Sequence, residues 1–106
     1  TEAGNIYTFG SVQINTAQGK VYKEGRDVFL TALEYRLLLS LVNNEGRILS
    51  RNQLLESIWD VSGDFVNDNT LTVYIKRLRE KIEDNPAAPA YILTRRGVGY
   101  YFSAQA

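Results

Sequence analysis

A chain of 106 residues without cysteine or histidine is long enough for one unstapled domain, and it lacks the thiol nucleophile, the imidazole base and the usual zinc ligands. Its twelve basic and twelve acidic residues cancel, and no apolar run is long enough to span a bilayer. Catalysis and cofactor binding therefore have no visible motif, and a cytoplasmic, non-enzymatic domain with no membrane partner is expected.

The stretch Thr1-Glu2-Ala3-Gly4 reads as the remnant of a linker, with the domain proper at residues 5–104. Four short alternating runs follow: Ile6-Tyr7-Thr8-Phe9, Val12-Gln13-Ile14-Asn15, Lys20-Val21-Tyr22-Lys23 and Asp27-Val28-Phe29-Leu30. Gly10, Gly19 and Gly25 punctuate them, which predicts an antiparallel meander. The aromatics Tyr7, Phe9, Tyr22, Phe29, Tyr91, Tyr100 and Tyr101 are expected mostly in the core.

Thr31-Ala32-Leu33-Glu34 has the spacing of a capping box, and the helix it opens carries Leu33, Leu37, Leu38, Leu41 and Val42 on one stripe. Asn43, Asn44 and Gly46 end that helix, and Ile48-Leu49 reads as a short extended link. Ser50-Arg51-Asn52-Gln53 is a second capping box, opening a helix with Leu54, Leu55, Ile58 and Trp59 as its apolar face. A loop is predicted over 60–66. Asn67 or Asp68 then caps a third helix, about 68–84, which Pro86 stops.

On that third helix Leu71, Ile75, Leu78 and Ile82 share one side, while Asn69, Val73, Lys76, Arg77 and Glu80 fall on the other. Between Lys76 and Lys81 stand four cations and one acid, whereas the acids gather at Asp60, Asp64 and Asp68 and at Glu83-Asp84. A neutral body with one basic face satisfies that distribution. Tyr91-Ile92-Leu93-Thr94 and Tyr100-Tyr101-Phe102 then form a hairpin with Arg95 and Arg96 at its mouth. The order predicts an α+β winged helix-turn-helix: an N-terminal four-stranded antiparallel sheet, three helices and a C-terminal β-hairpin wing.

Four stretches in register resemble the effector domain of OmpR/PhoB-type response regulators. They are Leu30-Thr31-Ala32-Leu33-Glu34-Tyr35-Arg36-Leu37-Leu38; Leu49-Ser50-Arg51-Asn52-Gln53-Leu54-Leu55 with Ile58-Trp59; Val73 through Ile82; and Arg96-Gly97-Val98-Gly99-Tyr100. The resemblance implies sequence-specific binding of double-stranded DNA, with the third helix in the major groove and the wing, 94–100, in the minor groove. It implies base or phosphate contact by Arg77, a thymine-methyl contact by Val73 and backbone contacts by Lys76 and Arg79. It further implies phosphate contacts by Arg51, Trp59 and Thr94, and minor-groove entry by Arg96. Gly97 and Gly99 permit the wing turn, and Asn69, Thr72 and Tyr100 complete the DNA-facing set. Tyr74 stands where the family often has histidine, and Arg95 where an apolar residue is common.

The same resemblance implies a homodimer on a direct-repeat operator and contact of the 60–66 loop with RNA polymerase. A histidine kinase would act only through a receiver domain outside this chain. Bland readings stand beside these. Lys76 and Glu80 have the spacing of a solvated i,i+4 pair, Arg95 and Arg96 of edge-strand gatekeepers, and Trp59 suits a core. With zero net charge, a winged helix whose third helix meets an acidic protein partner is the alternative from another class.

Overall fold

The computed structural model describes residues 6–62 and 68–103, and the side chains at 59–62, 68 and 69 lie outside that description. The alternating runs form an antiparallel meander in chain order: β1 (Ile6–Phe9), β2 (Val12–Asn15), β3 (Lys20–Lys23) and β4 (Arg26–Val28). Phe9, Val12, Ile14 and Val21 point inward and are buried. Gly10, Gly19 and Gly25 adopt positive φ at the turns, as their spacing predicts.

The fourth strand ends earlier than expected, at Val28 rather than Leu30, and Phe29 is 78% exposed rather than core. The cause is the helix that follows. Thr31, at φ −68° and ψ 163°, caps α1 (Ala32–Asn43), and its N–H is taken by the Glu34 carboxylate rather than by a neighbouring strand. Both halves of the capping box form: Glu34 N–H donates to Thr31 Oγ1 at 3.2 Å, and Thr31 N–H donates to Glu34 Oε1 at 3.0 Å. Leu37, Leu38, Leu41 and Val42 are buried, and Leu33 packs at the edge of the core.

The predicted link at Ile48-Leu49 is instead a third wing strand, β5 (Leu49–Ser50). The second edge of the closing strand is open, and Leu49 and Ser50 fill it by pairing with Tyr100 and Gly99. The second capping box forms as spaced, with Gln53 N–H donating to Ser50 Oγ at 3.1 Å and Ser50 N–H to Gln53 Oε1 at 2.8 Å. It starts α2 (Arg51–Ser62), which runs two residues past Asp60, so the start of the expected loop is helical. Residues 63–66 of that loop, the proposed polymerase surface among them, lie outside the described residues. So does Asn67, while Asp68 is already helical.

The third helix, α3 (Asp68–Ile82), ends two residues before 84. The wing strands are β6 (Ile92–Arg95), shifted one residue on from the predicted run, and β7 (Gly99–Phe102), which starts one residue earlier than predicted and ends where expected. With β5 they make a three-stranded sheet in the order β5-β7-β6. Leu71, Ile75, Leu78 and Ile82 are all buried, as the helical period requires, beside Leu54 and Ile58 of α2 and Leu37 and Leu41 of α1. Phe9 bridges meander and wing: its ring meets Tyr91 at 5.0 Å and Phe102 at 4.7 Å, both edge-on.

Candidate nucleic-acid interface

Four buried side chains fix the rotation of α3, and the opposite face is thereby turned to solvent. Val73 is 44% exposed there, and Thr72, Lys76, Arg77 and Glu80 are exposed with it. Tyr74 is half-buried at the boundary, and the Arg77 guanidinium stands over its ring, 5.4 Å from the centroid. A ring beneath a guanidinium restrains it while leaving its N–H fork outward. The Asn69 and Trp59 side chains lie outside the described residues.

The ion pairs among the described residues are Lys20–Asp27, Lys23–Asp84 and Lys81–Glu34, and none involves Lys76, Arg77, Arg95 or Arg96. The Lys76–Glu80 pair of the bland reading does not form. Unpaired cations on a fixed helix face are available to an anionic partner without first losing an internal one.

At the wing, the Arg95-Arg96-Gly97-Val98 turn closes with Val98 N–H donating to Arg95 O at 3.0 Å. Gly97 sits at φ +79°, a conformation costly for other L residues, so its place at the tip follows from backbone sterics. Gly99 is needed for another reason: a Cβ there would fall 1.9 Å from the Leu49 carbonyl oxygen, where β5 pairs with β7. The expectation that both glycines serve the turn therefore holds for Gly97 and is corrected for Gly99. Arg95, Arg96 and Val98 are exposed.

Ser50, Arg51 and Asn52 at the start of α2 face Thr94 through Tyr100 of the wing across an open groove of about 490 Å³. Tyr100 is buried at its floor, with the Arg51 guanidinium 5.7 Å and the Arg79 guanidinium 5.9 Å from its ring centroid. Arg51 Nη1 also donates to Thr72 Oγ1 at 3.3 Å, linking α2 to α3. Arg79 turns toward the wing, its Nε donating to Ile92 O at 3.0 Å and its Nη2 to Thr94 Oγ1 at 2.8 Å. Burial lowers the Arg79 pKa from its ordinary value, with Tyr100 and Glu83 opposing, and the group stays cationic. Thus Arg51, Thr72, Arg79, Thr94 and Tyr100 form one connected set, and Arg96 and Gly97 extend it along the groove.

Two participants have no signal in the sequence strong enough to single them out. Asn52 lines the groove simply because it follows the capping serine. Glu83 reads as part of an acidic cluster but is buried, with backbone N–H groups around it.

Comparison with known proteins meets the same arrangement. Residues 25–102 match the family described as "Transcriptional regulatory protein, C terminal". The chain belongs to that family. It is 40% identical over 95 residues to the uncharacterized transcriptional regulatory protein YrkP of Bacillus subtilis, covering 90% of this chain and 41% of YrkP. Among solved structures, the response regulator DrrB, a Thermotoga maritima OmpR/PhoB homolog, superimposes with a TM-score of 0.85 at 37% identity, over 93% of this chain and 44% of DrrB. The RstA DNA-binding domain of Klebsiella pneumoniae, solved in complex with the RstA box, gives 0.80 at 31% identity, over 94% of this chain and 98% of that domain. The chain thus spans less than half of YrkP and of DrrB, and its architecture is that of OmpR/PhoB effector domains. Among the described residues no helix is long and apolar enough to cross a membrane.

Proposed function

We propose that this chain is the sequence-specific, double-stranded-DNA-binding effector domain of a two-component transcriptional regulator acting in the cytoplasm. The observation that carries the reading is the exposed, unpaired pair Lys76–Arg77 on the outer face of α3, beside a basic wing. The RstA domain that this fold resembles was solved on its DNA box, which supports the same use here.

In this reading α3 enters the major groove. Arg77, held over Tyr74, presents its fork to base edges, and Val73 meets thymine methyls. Lys76, Arg51 and the Thr94 hydroxyl contact phosphates. The Thr94 oxygen accepts from Arg79 and so keeps its own proton free for a phosphate oxygen. Trp59 and Asn69 belong to the same set by their positions on α2 and α3. Arg96, leading from the Gly97 turn, enters the minor groove, where a narrow groove concentrates negative potential. Copies bind head to tail on direct repeats, and a receiver domain elsewhere in the protein, phosphorylated by a histidine kinase, raises occupancy. The segment 60–66, from the end of α2 toward α3, meets RNA polymerase.

Anisotropy of a labelled duplex at about 50 and about 200 mM salt tests the central step: affinity is expected to fall at least ten-fold as counterions compete. Duplex binding that ignores salt, or none at all, sinks the proposal in favour of an acidic protein partner.

A further inference from the structure

Two side chains, Arg79 in the last turn of α3 and Glu83 just past its end, reach the same short stretch of the wing from below. The Glu83 carboxylate is buried and accepts from three consecutive backbone groups: Ala90 N–H at 2.8 Å, Tyr91 N–H at 2.9 Å and Ile92 N–H at 2.7 Å. The Arg79 guanidinium takes the next groups along, the Ile92 carbonyl at 3.0 Å and the Thr94 hydroxyl at 2.8 Å. Acceptors on one side chain and donors on the other thus satisfy the entry of β6 from Ala90 to Thr94. Tyr100, across the ladder from Thr94, carries the Arg79 guanidinium against its ring.

We propose that Arg79 and Glu83 clasp β6 to α3 and so set where Arg95 and Arg96 stand relative to the reading face of the helix, making Arg79 a positioning residue for minor-groove contact. This positioning role rests on the DNA-binding reading above and deepens it. A rigid link matters because two probes must reach two grooves at a fixed separation, and a displacement of an ångström at the wing tip costs affinity there without altering α3. A lysine at 79 would keep the charge but lose the planar fork that holds a carbonyl and a hydroxyl at once. Charge alone does not make the clasp.

Amide hydrogen exchange on the free 106-residue chain tests the clasp without DNA. In Arg79→Lys, amides of Ile92–Arg95 and Gly99–Phe102 are expected to exchange about ten-fold faster than in the wild type, with Val12–Asn15 unchanged. Unchanged wing exchange overturns the inference. Should Arg79→Lys loosen the whole fold, Thr94→Val removes only the outer hydroxyl, and faster exchange confined to the wing is again expected. Exchange unaltered there, or raised equally everywhere, overturns the clasp.

On a duplex the wild type binds, Arg79→Lys and Arg96→Ala are expected to lose similar affinity, and the double variant no more than about two-fold beyond either. Losses that multiply, with Arg79→Lys close to wild type because its charge suffices, mean that Arg79 acts as a phosphate contact instead. If the wild-type chain binds no duplex, the DNA-binding reading fails by itself, and the exchange result still decides the clasp.

Discussion

The Lys81 ammonium donates to Glu34 Oε1 across 2.7 Å, and the other half of that interaction is the cap of α1, because the same carboxylate oxygen receives Thr31 N–H. One carboxylate, 1% exposed, thus starts the first helix and anchors the last turn of the third. Lys81→Met leaves it buried with the cap as its one remaining support, and stability is expected to fall by about 1–3 kcal/mol in urea unfolding. Glu34→Gln keeps the shape, loses the charge-assisted bond, and is expected to cost about 1–2 kcal/mol.

Acid should reveal the same carboxylate. Burial alone would raise its pKa, but the bonds from Lys81 and Thr31 outweigh burial and hold it below its ordinary value of 4.5. The unfolded chain therefore takes up the proton first as pH falls. The stabilisation is complete above about pH 4.5 and is lost as pH drops through the lower folded value. Unfolding free energy measured from pH 6 to pH 3, about that range, should decline less steeply in Glu34→Gln than in the wild type. Parallel declines would show that the group contributes nothing to acid sensitivity.

The two wing glycines separate by mechanism. Gly97→Ala meets no neighbour and bears only the left-handed backbone, an expected loss of about 1–2 kcal/mol confined to the wing tip. Gly99→Ala drives a methyl into the Leu49 carbonyl, so β5 must part from β7. Loss of β5 pairing in amide exchange is expected for Gly99→Ala and not for Gly97→Ala.

On α3 the exposed cations should divide by role. Arg77→Ala is expected to cost about 1–3 kcal/mol on the preferred duplex and to relax base preference at one or two positions. Lys76→Ala should weaken every duplex alike and flatten the salt slope by about one. Competition binding against a panel of single-base variants distinguishes the two patterns.

Much of this was legible from spacing. The 3.6-residue period alone separates Leu71, Ile75, Leu78 and Ile82 from Val73, Lys76 and Arg77, and burial follows that division. Both capping boxes form because their three-residue spacing is itself the geometry. Phe29 misleads because strand alternation runs through it, while the cap at Thr31 decides where the strand stops. The strand Leu49–Ser50 is too short to carry a period, and its partner lies some fifty residues away in β7. The basic character of Arg79 is plain, but its wing partners are 13 and 15 residues on, and no local rule joins them. Glu83 is harder still, since an acid beside Asp84 looks solvated until three N–H groups converge on it.

Selection of binding sites from a random duplex library, run in parallel with wild type and Arg77→Ala, asks whether α3 reads base sequence. The wild type is expected to enrich one defined site, in tandem copies, and Arg77→Ala to enrich a degenerate version of it. A wild-type pool no different from its input, or one that Arg77→Ala reproduces base for base, would contradict the assignment of α3 as the element that reads DNA.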